Sequence, residues 1–199
     1  MTEEPRVILA SASPRRQKLL RQIGVDPIIM PSYVDEKTDK TDSIEVVKEL
    51  SLRKAADIQE KCSDEGYLGK TIIISADTVV SCDGHVLGKP KSQEKAEAML
   101  KMLSGREHEV LTGVTVMLTV NDRLEKTETF VQKTSVKVTE LSDEDISDYI
   151  ATGEPIGKAG SYAIQGIFGK YVEGIEGDYY NVVGLPICAL NSVIRGMLK

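Results

Sequence analysis

Arg6-Val-Ile-Leu-Ala-Ser-Ala-Ser-Pro-Arg-Arg16 sets the pattern of the fold, because it reads as a strand, a turn and a helix start in immediate succession. The apolar run Val7 to Ala10 has the look of a buried strand, and Ser11 and Ser13 punctuate its end. Pro14 suits the first helical position, with Arg15 and Arg16 in the first turn. Helix N-termini are electropositive and normally attract Asp or Glu. Two arginines oppose that field, and an anion bound there would resolve the conflict. It would meet N–H groups, the Ser11 and Ser13 hydroxyls and two guanidinium forks. The stretch therefore reads as a phosphate site. It equally suits a solvated helix start with Ser13 as an ordinary N-cap.

Beyond this stretch, strand and helix signals alternate. Pro14 to Ile23 forms a helix with Leu19, Leu20 and Ile23 inward and Gly24 as its stop. Pro27 to Met30 is a second strand, and Pro31 to Thr41 a polar loop. Asp42 and Glu45 resemble a capping box opening a long helix through Cys62, with Ile44, Val47, Ala55 and Ile58 on one face. The β-branched run Thr71 to Val80 turns at Asp83-Gly84 into Val86-Leu87. Ser92 caps a helix to Leu103, which Gly105 ends. Glu109 to Val120 and Arg123 to Val138 pair as an antiparallel ribbon across Asn121-Asp122. Ser142 and Asp145 frame a helix with Ile146, Tyr149 and Ile150 inward. A glycine-rich stretch from Gly153 to Gly184 follows, then a helix from Pro186 to Leu198. The expected fold is a single α/β domain over residues 1–199, with a long, mixed, bent central sheet, flanking helices and two lobes around a cleft.

With 199 residues the chain can bury a sizeable core, and 41% hydrophobic with 28% charged residues is ordinary for a soluble globular protein. Acids follow Met1 where a signal peptide would carry bases, and no apolar run approaches a membrane span. Cys62, Cys82 and Cys188 are widely spaced, which points to a reducing cytoplasm and away from a disulfide framework or zinc. A net charge of −6 disfavours nucleic acid polymers, so no nucleic acid or membrane partner is expected. A phosphate ligand must then be held by local cations or through a metal.

Asp77 is the second chemical signal. In Ile72-Ile-Ile-Ser-Ala-Asp-Thr-Val-Val80 a carboxylate without a cation, metal or N–H donors would carry a large desolvation cost. A strand-bulge Asp satisfied by backbone amides is the plainer alternative. Asp35-Glu36 stand after an apolar strand, and Lys89 sits between Gly88 and Pro90. Lys54 lies in the long helix, where a solvated surface lysine is the ordinary expectation. Carboxylates and cations converging on one cleft are what a metal–triphosphate complex requires. Neither GxxxxGK[ST] nor GxGxxG occurs. His85 and His108 read as surface and strand-edge residues, so zinc or triad chemistry finds no support.

Six ordered motifs carry a family resemblance. They are Ser11-Ala-Ser-Pro-Arg-Arg16, Ala76-Asp-Thr-Val-Val80, Gly88-Lys-Pro90, Ser104-Gly-Arg-Glu-His-Glu-Val110 with Thr112-Gly113, Lys158-Ala-Gly-Ser-Tyr-Ala-Ile-Gln-Gly166 and Gly177-Asp-Tyr-Tyr-Asn-Val-Val-Gly-Leu-Pro186. From Val7 to about Leu190 the chain resembles the Maf family of nucleoside triphosphate pyrophosphatases. The resemblance implies a fold similar to inosine triphosphate pyrophosphatases. It also implies cleavage between the α and β phosphates, with Mg²⁺ or Mn²⁺, giving a monophosphate and pyrophosphate. It assigns Asp77 as general base, Glu36 to the metal with Asp77, and Arg16, Lys54 and Lys89 to the phosphates. Arg15, Thr78 and Gln165 match positions that tune base choice. Thr78 and the Ile-Gln-Gly motif resemble the branch acting on dTTP and UTP, and a Gln amide can pair with the N3–H and O4 edge of uracil or thymine.

Gly157 departs from the family, which commonly has Asp before Lys158-Ala-Gly. That acid either lines the site or shapes the loop. The implied role is removal of non-standard pyrimidine triphosphates, with homodimers common in the family. A nucleotide-binding regulator of septum formation without significant turnover is the alternative from a different class.

Overall fold

A computed structural model describes residues 5–66 and 68–199. Met1 to Glu4, the acidic start set against a leader segment, lie outside the described residues. β1 (Arg6–Leu9) runs parallel to β2 (Ile28–Ile29) on one side and to β3 (Lys70–Cys82) on the other. β3 then pairs antiparallel with β5 (Glu107–Val120), which pairs with β6 (Arg123–Val138), which pairs with β7 (Val172–Glu176). β4 (His85–Leu87) folds back on β3 and completes a mixed sheet of seven strands.

The hairpin turns follow their chemistry. Asp83 and Gly84 take φ of 50° and 78°, and Asn121 and Asp122 take 48° and 67°. Two successive left-handed residues match the right-handed twist of the flanking strands. Among the described residues there are six α-helices: α1 (Pro14–Gln22), α2 (Ser43–Asp64), α3 (Gln93–Leu103), α4 (Asp143–Ala151), α5 (Tyr179–Val183) and α6 (Ile187–Met197). Among the described residues no helix is long and apolar enough to cross a membrane.

The near-continuous burial of β3 comes from helices on both faces. Ile72 and Ile74 join Leu19 and Leu20 of α1 and Leu190 of α6 in one core. Ile73, one residue out of phase, points the other way to Ala55 and Ile58 of α2. Beyond Asp77 the same strand serves another core, where Val80 meets Leu100, Leu103, Tyr149 and Phe168. Asp77 therefore interrupts the apolar run between two packed regions.

Gly113 fixes the neighbouring helix. It stands opposite Asp77 in the β3–β5 register, and a Cβ there would lie 2.3 Å from the Val47 carbonyl oxygen. Only glycine lets α2 press so closely on the sheet. Two turns later the same helix face delivers Lys54.

Several expectations change. Ile23 and Ile44 are 37% and 41% exposed, not inward, because each stands at a helix end that overhangs the core. Asp42 caps α2 through the Glu45 N–H. The reciprocal capping box occurs at α4, between Ser142 and Asp145. The glycine-rich stretch holds β7, α5 and two 3₁₀ turns, Ala159–Ser161 and Ile167–Tyr171. His108 is buried, not at a strand edge exposed to solvent. Its Nε2 lies 2.8 Å from the Tyr162 hydroxyl, and burial lowers its pKa to about 4.

Candidate active site

The end of β1, the first turn of α1, the loop after β2 and the middle of β3 enclose a cavity of about 460 Å³. Ser11, Ser13, Arg15, Arg16, Glu36, Lys54, Asp77, Thr78 and Lys89 all line it.

Charges alternate through the site. Lys54 Nζ lies 2.6 Å from Asp77 Oδ1 and 2.7 Å from Glu36 Oε1. Lys89 Nζ in turn lies 3.0 Å from Glu36 Oε2. Lys54 is only 7% exposed, so the ordinary expectation of a solvated lysine is overturned. Its partners explain the burial: an ammonium flanked by two carboxylates offsets its desolvation. Asp77 likewise has a cation and is not a strand-bulge residue served by amides. Partial burial pushes the Glu36 pKa up, but Lys54 and then Lys89 bring it down to about 2.

Ser13 is an N-cap, accepting from the Arg16 N–H, and the helix start it caps faces the cavity. The capping role of Ser13 is thus observed, at a helix start that borders the cavity. Three bonds, one from each nitrogen, orient the Arg16 guanidinium. Nε donates to the Gly184 carbonyl at 2.8 Å, Nη1 to Ser11 Oγ at 3.2 Å and Nη2 to Thr78 Oγ1 at 3.0 Å. Desolvation lowers the Arg16 pKa, opposed by the charge of Asp77.

Thr78 belongs to a directed chain of hydroxyls. Thr112 donates to the Asn181 carbonyl at 3.2 Å, so the Thr78 proton goes to Thr112, 2.9 Å away. One Thr78 lone pair is then taken by Arg16. This network orients Arg16, and it leaves the Thr78 hydroxyl little capacity to read a base.

Gln165 is the exception among the expected residues. It is exposed and does not line the cavity. The turn that carries it is pinned by Glu154, whose carboxylate accepts from the Tyr149 hydroxyl at 2.8 Å and the Ile167 N–H at 3.0 Å. Gly166 packs directly on that carboxylate, where a Cβ would lie 2.3 Å from either oxygen. The anchor turns Gln165 outward.

Three residues with a place in the site were missed as single residues. Tyr33 lines the cavity and is 83% exposed. Its signal is an aromatic in an otherwise polar loop. Lys158, partly buried beside the cavity wall, has its pKa lowered by desolvation and then by the charge of Arg15. Asn181 is fully buried and donates to the Val110 carbonyl and Thr134 Oγ1, fixing α5 under the Thr112 network. Gly157 lines the cavity and has φ of +75°, so position 157 both borders the site and shapes its loop.

Among the described residues no group of three or more His, Cys, Asp or Glu converges to hold a metal ion. Two carboxylates do converge, from Glu36 and Asp77, on the point held by the Lys54 ammonium.

The family model described as Maf-like protein matches residues 6–197. The chain belongs to the Maf family. A relative from Lachnoclostridium phytofermentans is 43% identical over 189 residues, covering 95% of this chain and 93% of its own. One from Dictyoglomus turgidum is 45% identical over 191 residues, covering 95% and 94%. Both are named dTTP/UTP pyrophosphatase. Among solved structures, the Staphylococcus aureus Ham1 protein aligns over 96% of this chain and 99% of its own, at 15% identity and a TM-score of 0.45.

Proposed function

We propose that this Maf protein hydrolyses nucleoside triphosphates between the α and β phosphates, with dTTP and UTP preferred, releasing a monophosphate and pyrophosphate. The observation that carries the reading is the Asp77 carboxylate, buried on a central strand and held at 2.6 Å by Lys54 in a cavity edged with further cations. A binding surface for phosphate would need the cations alone.

Asp77 accepts the proton of the attacking water as its oxygen bonds to phosphorus, and the anhydride oxygen leaves with the pyrophosphate. Arg16, already oriented by Gly184 and Thr78, presents its guanidinium to phosphate oxygens. Lys54 and Lys89 neutralise charge on the leaving side, and Ser11, Ser13 and Arg15 border the same wall. Glu36 and Asp77 are hard oxygen donors suited to Mg²⁺ or Mn²⁺. Such an ion is commonly held by one or two carboxylates with substrate phosphates completing its shell. When bound it would supply charge neutralisation on the triphosphate.

Base choice rests on the names of the relatives and on the cavity wall. Among the described residues Tyr33 and Tyr162 are the aromatics on that wall, and Tyr162 is packed against Phe168. Tyr33 is the ring with a free face on which a base can stack. The three unpaired cysteines suit a reducing cytoplasm.

The test is pyrophosphate release with Mg²⁺ or Mn²⁺, measured as kcat/KM over the standard triphosphates. dTTP and UTP should lead, CTP should vary, and ATP and GTP should be poor. Binding of these nucleotides without release would favour a regulator, and a purine preference would overturn the base assignment.

A further inference from the structure

The segment that carries Glu36 has no strand or helix of its own between Met30 and Asp42. Its placement therefore depends on what its backbone can bond to. That partner is Arg53 of α2. One guanidinium nitrogen, Nη1, donates to the Asp35 carbonyl at 2.6 Å and to the Lys37 carbonyl at 2.9 Å. These carbonyls stand on either side of Glu36. The other terminal nitrogen bonds Glu49 one turn earlier. The second Glu49 oxygen accepts from the Thr38 hydroxyl at 2.7 Å. Within the loop, Asp35 Oδ1 accepts the Lys37 N–H at 3.0 Å and Thr38 Oγ1 the Lys40 N–H at 3.1 Å.

The next residue on the helix is Lys54, which holds the Glu36 carboxylate itself. Consecutive residues of α2 thus grip the backbone around Glu36 and its side chain. Arg53 does not line the cavity, and its side chain is 34% exposed. An ordinary helix-surface ion pair with Glu49 would support the helix and leave activity untouched. Two additional bonds to flanking carbonyls are what such a pair lacks.

We propose that Arg53, oriented by Glu49, is a positioning residue that fixes Glu36 in the active site by holding the Asp35 and Lys37 carbonyls against α2. The proposal rests on Glu36 facing the metal–triphosphate complex. A planar fork reaches two carbonyls and a carboxylate at once, which a lysine ammonium cannot reproduce. Without it Glu36 keeps its side-chain pairs to Lys54 and Lys89, while the carbonyls on either side of it lose their bonds to α2 and the Thr38–Glu49 bond remains.

The test combines amide hydrogen exchange with a double-mutant cycle on UTP hydrolysis. In Arg53→Ala, peptides covering residues 35–40 should exchange faster while those from β3 do not change. Its kcat/KM should fall by about 10–100-fold, chiefly in kcat, as for other residues that orient a ligating group. Arg53→Lys should recover only part. In a Glu36→Gln background the same Arg53→Ala change should cost less than about twofold, since its target has gone. Unchanged exchange over 35–40, or an equal loss in both backgrounds, would overturn the proposal. A wild-type protein without triphosphate turnover would refute the proposed activity, and the exchange result alone would then decide whether Arg53 holds the loop.

Discussion

Asp77→Asn should lower kcat/KM for dTTP and UTP by about 10²–10⁴-fold, the usual contribution of a placed general base. The amide keeps the carboxylate's shape and removes its charge and basicity. The fold should survive the change. Lys54 keeps its other partner, Glu36 at 2.7 Å, so no buried ammonium is left alone. Steady-state kinetics with a circular dichroism melt would check both halves, and substantial residual turnover in a folded variant would remove Asp77 from the chemistry.

Lys54→Met should behave in the opposite way for stability. Asp77 is 6% exposed and Lys54 is its hydrogen-bonded cation. Removing one partner of a buried pair typically costs about 3–5 kcal/mol, because the remaining charge is left uncompensated. Denaturant unfolding should therefore show a far larger loss for Lys54→Met than for Asp77→Asn, and activity should be lost in both. Equal stability losses would mean that Glu36 alone does not compensate the Lys54 ammonium once the Asp77 charge is gone.

Much of the fold was legible because its signals are local. The apolar runs of β1 and β3, the Asp83-Gly84 and Asn121-Asp122 turns and the Ser92 and Ser142 caps each act over a few residues. The stretch from Gly153 to Gly184 was not legible. β7 is short and its residues are mostly exposed, so it shows no apolar alternation, and α5 has only five residues. The site divides in the same way. Asp77 announced itself as a charge in an apolar strand. The burial of Lys54 did not, since it follows from α2 pressing on Gly113, a contact between residues 47 and 113. The charged neighbours Glu107 and Glu109 mask the His108 side chain, which turns inward to Tyr162. Gln165 was drawn to the site by its motif, and the Glu154 anchor that turns it outward acts from eleven residues away.

On the proposed mechanism a base on β3 directs cleavage of the α–β anhydride. Phosphorus NMR of UTP incubated with the wild-type protein and Mg²⁺ identifies the bond cleaved, with Asp77→Asn run alongside. UMP and pyrophosphate should accumulate in equal amounts with the wild type and remain near background with the variant. UDP with orthophosphate, or equal rates from the two proteins, would contradict it.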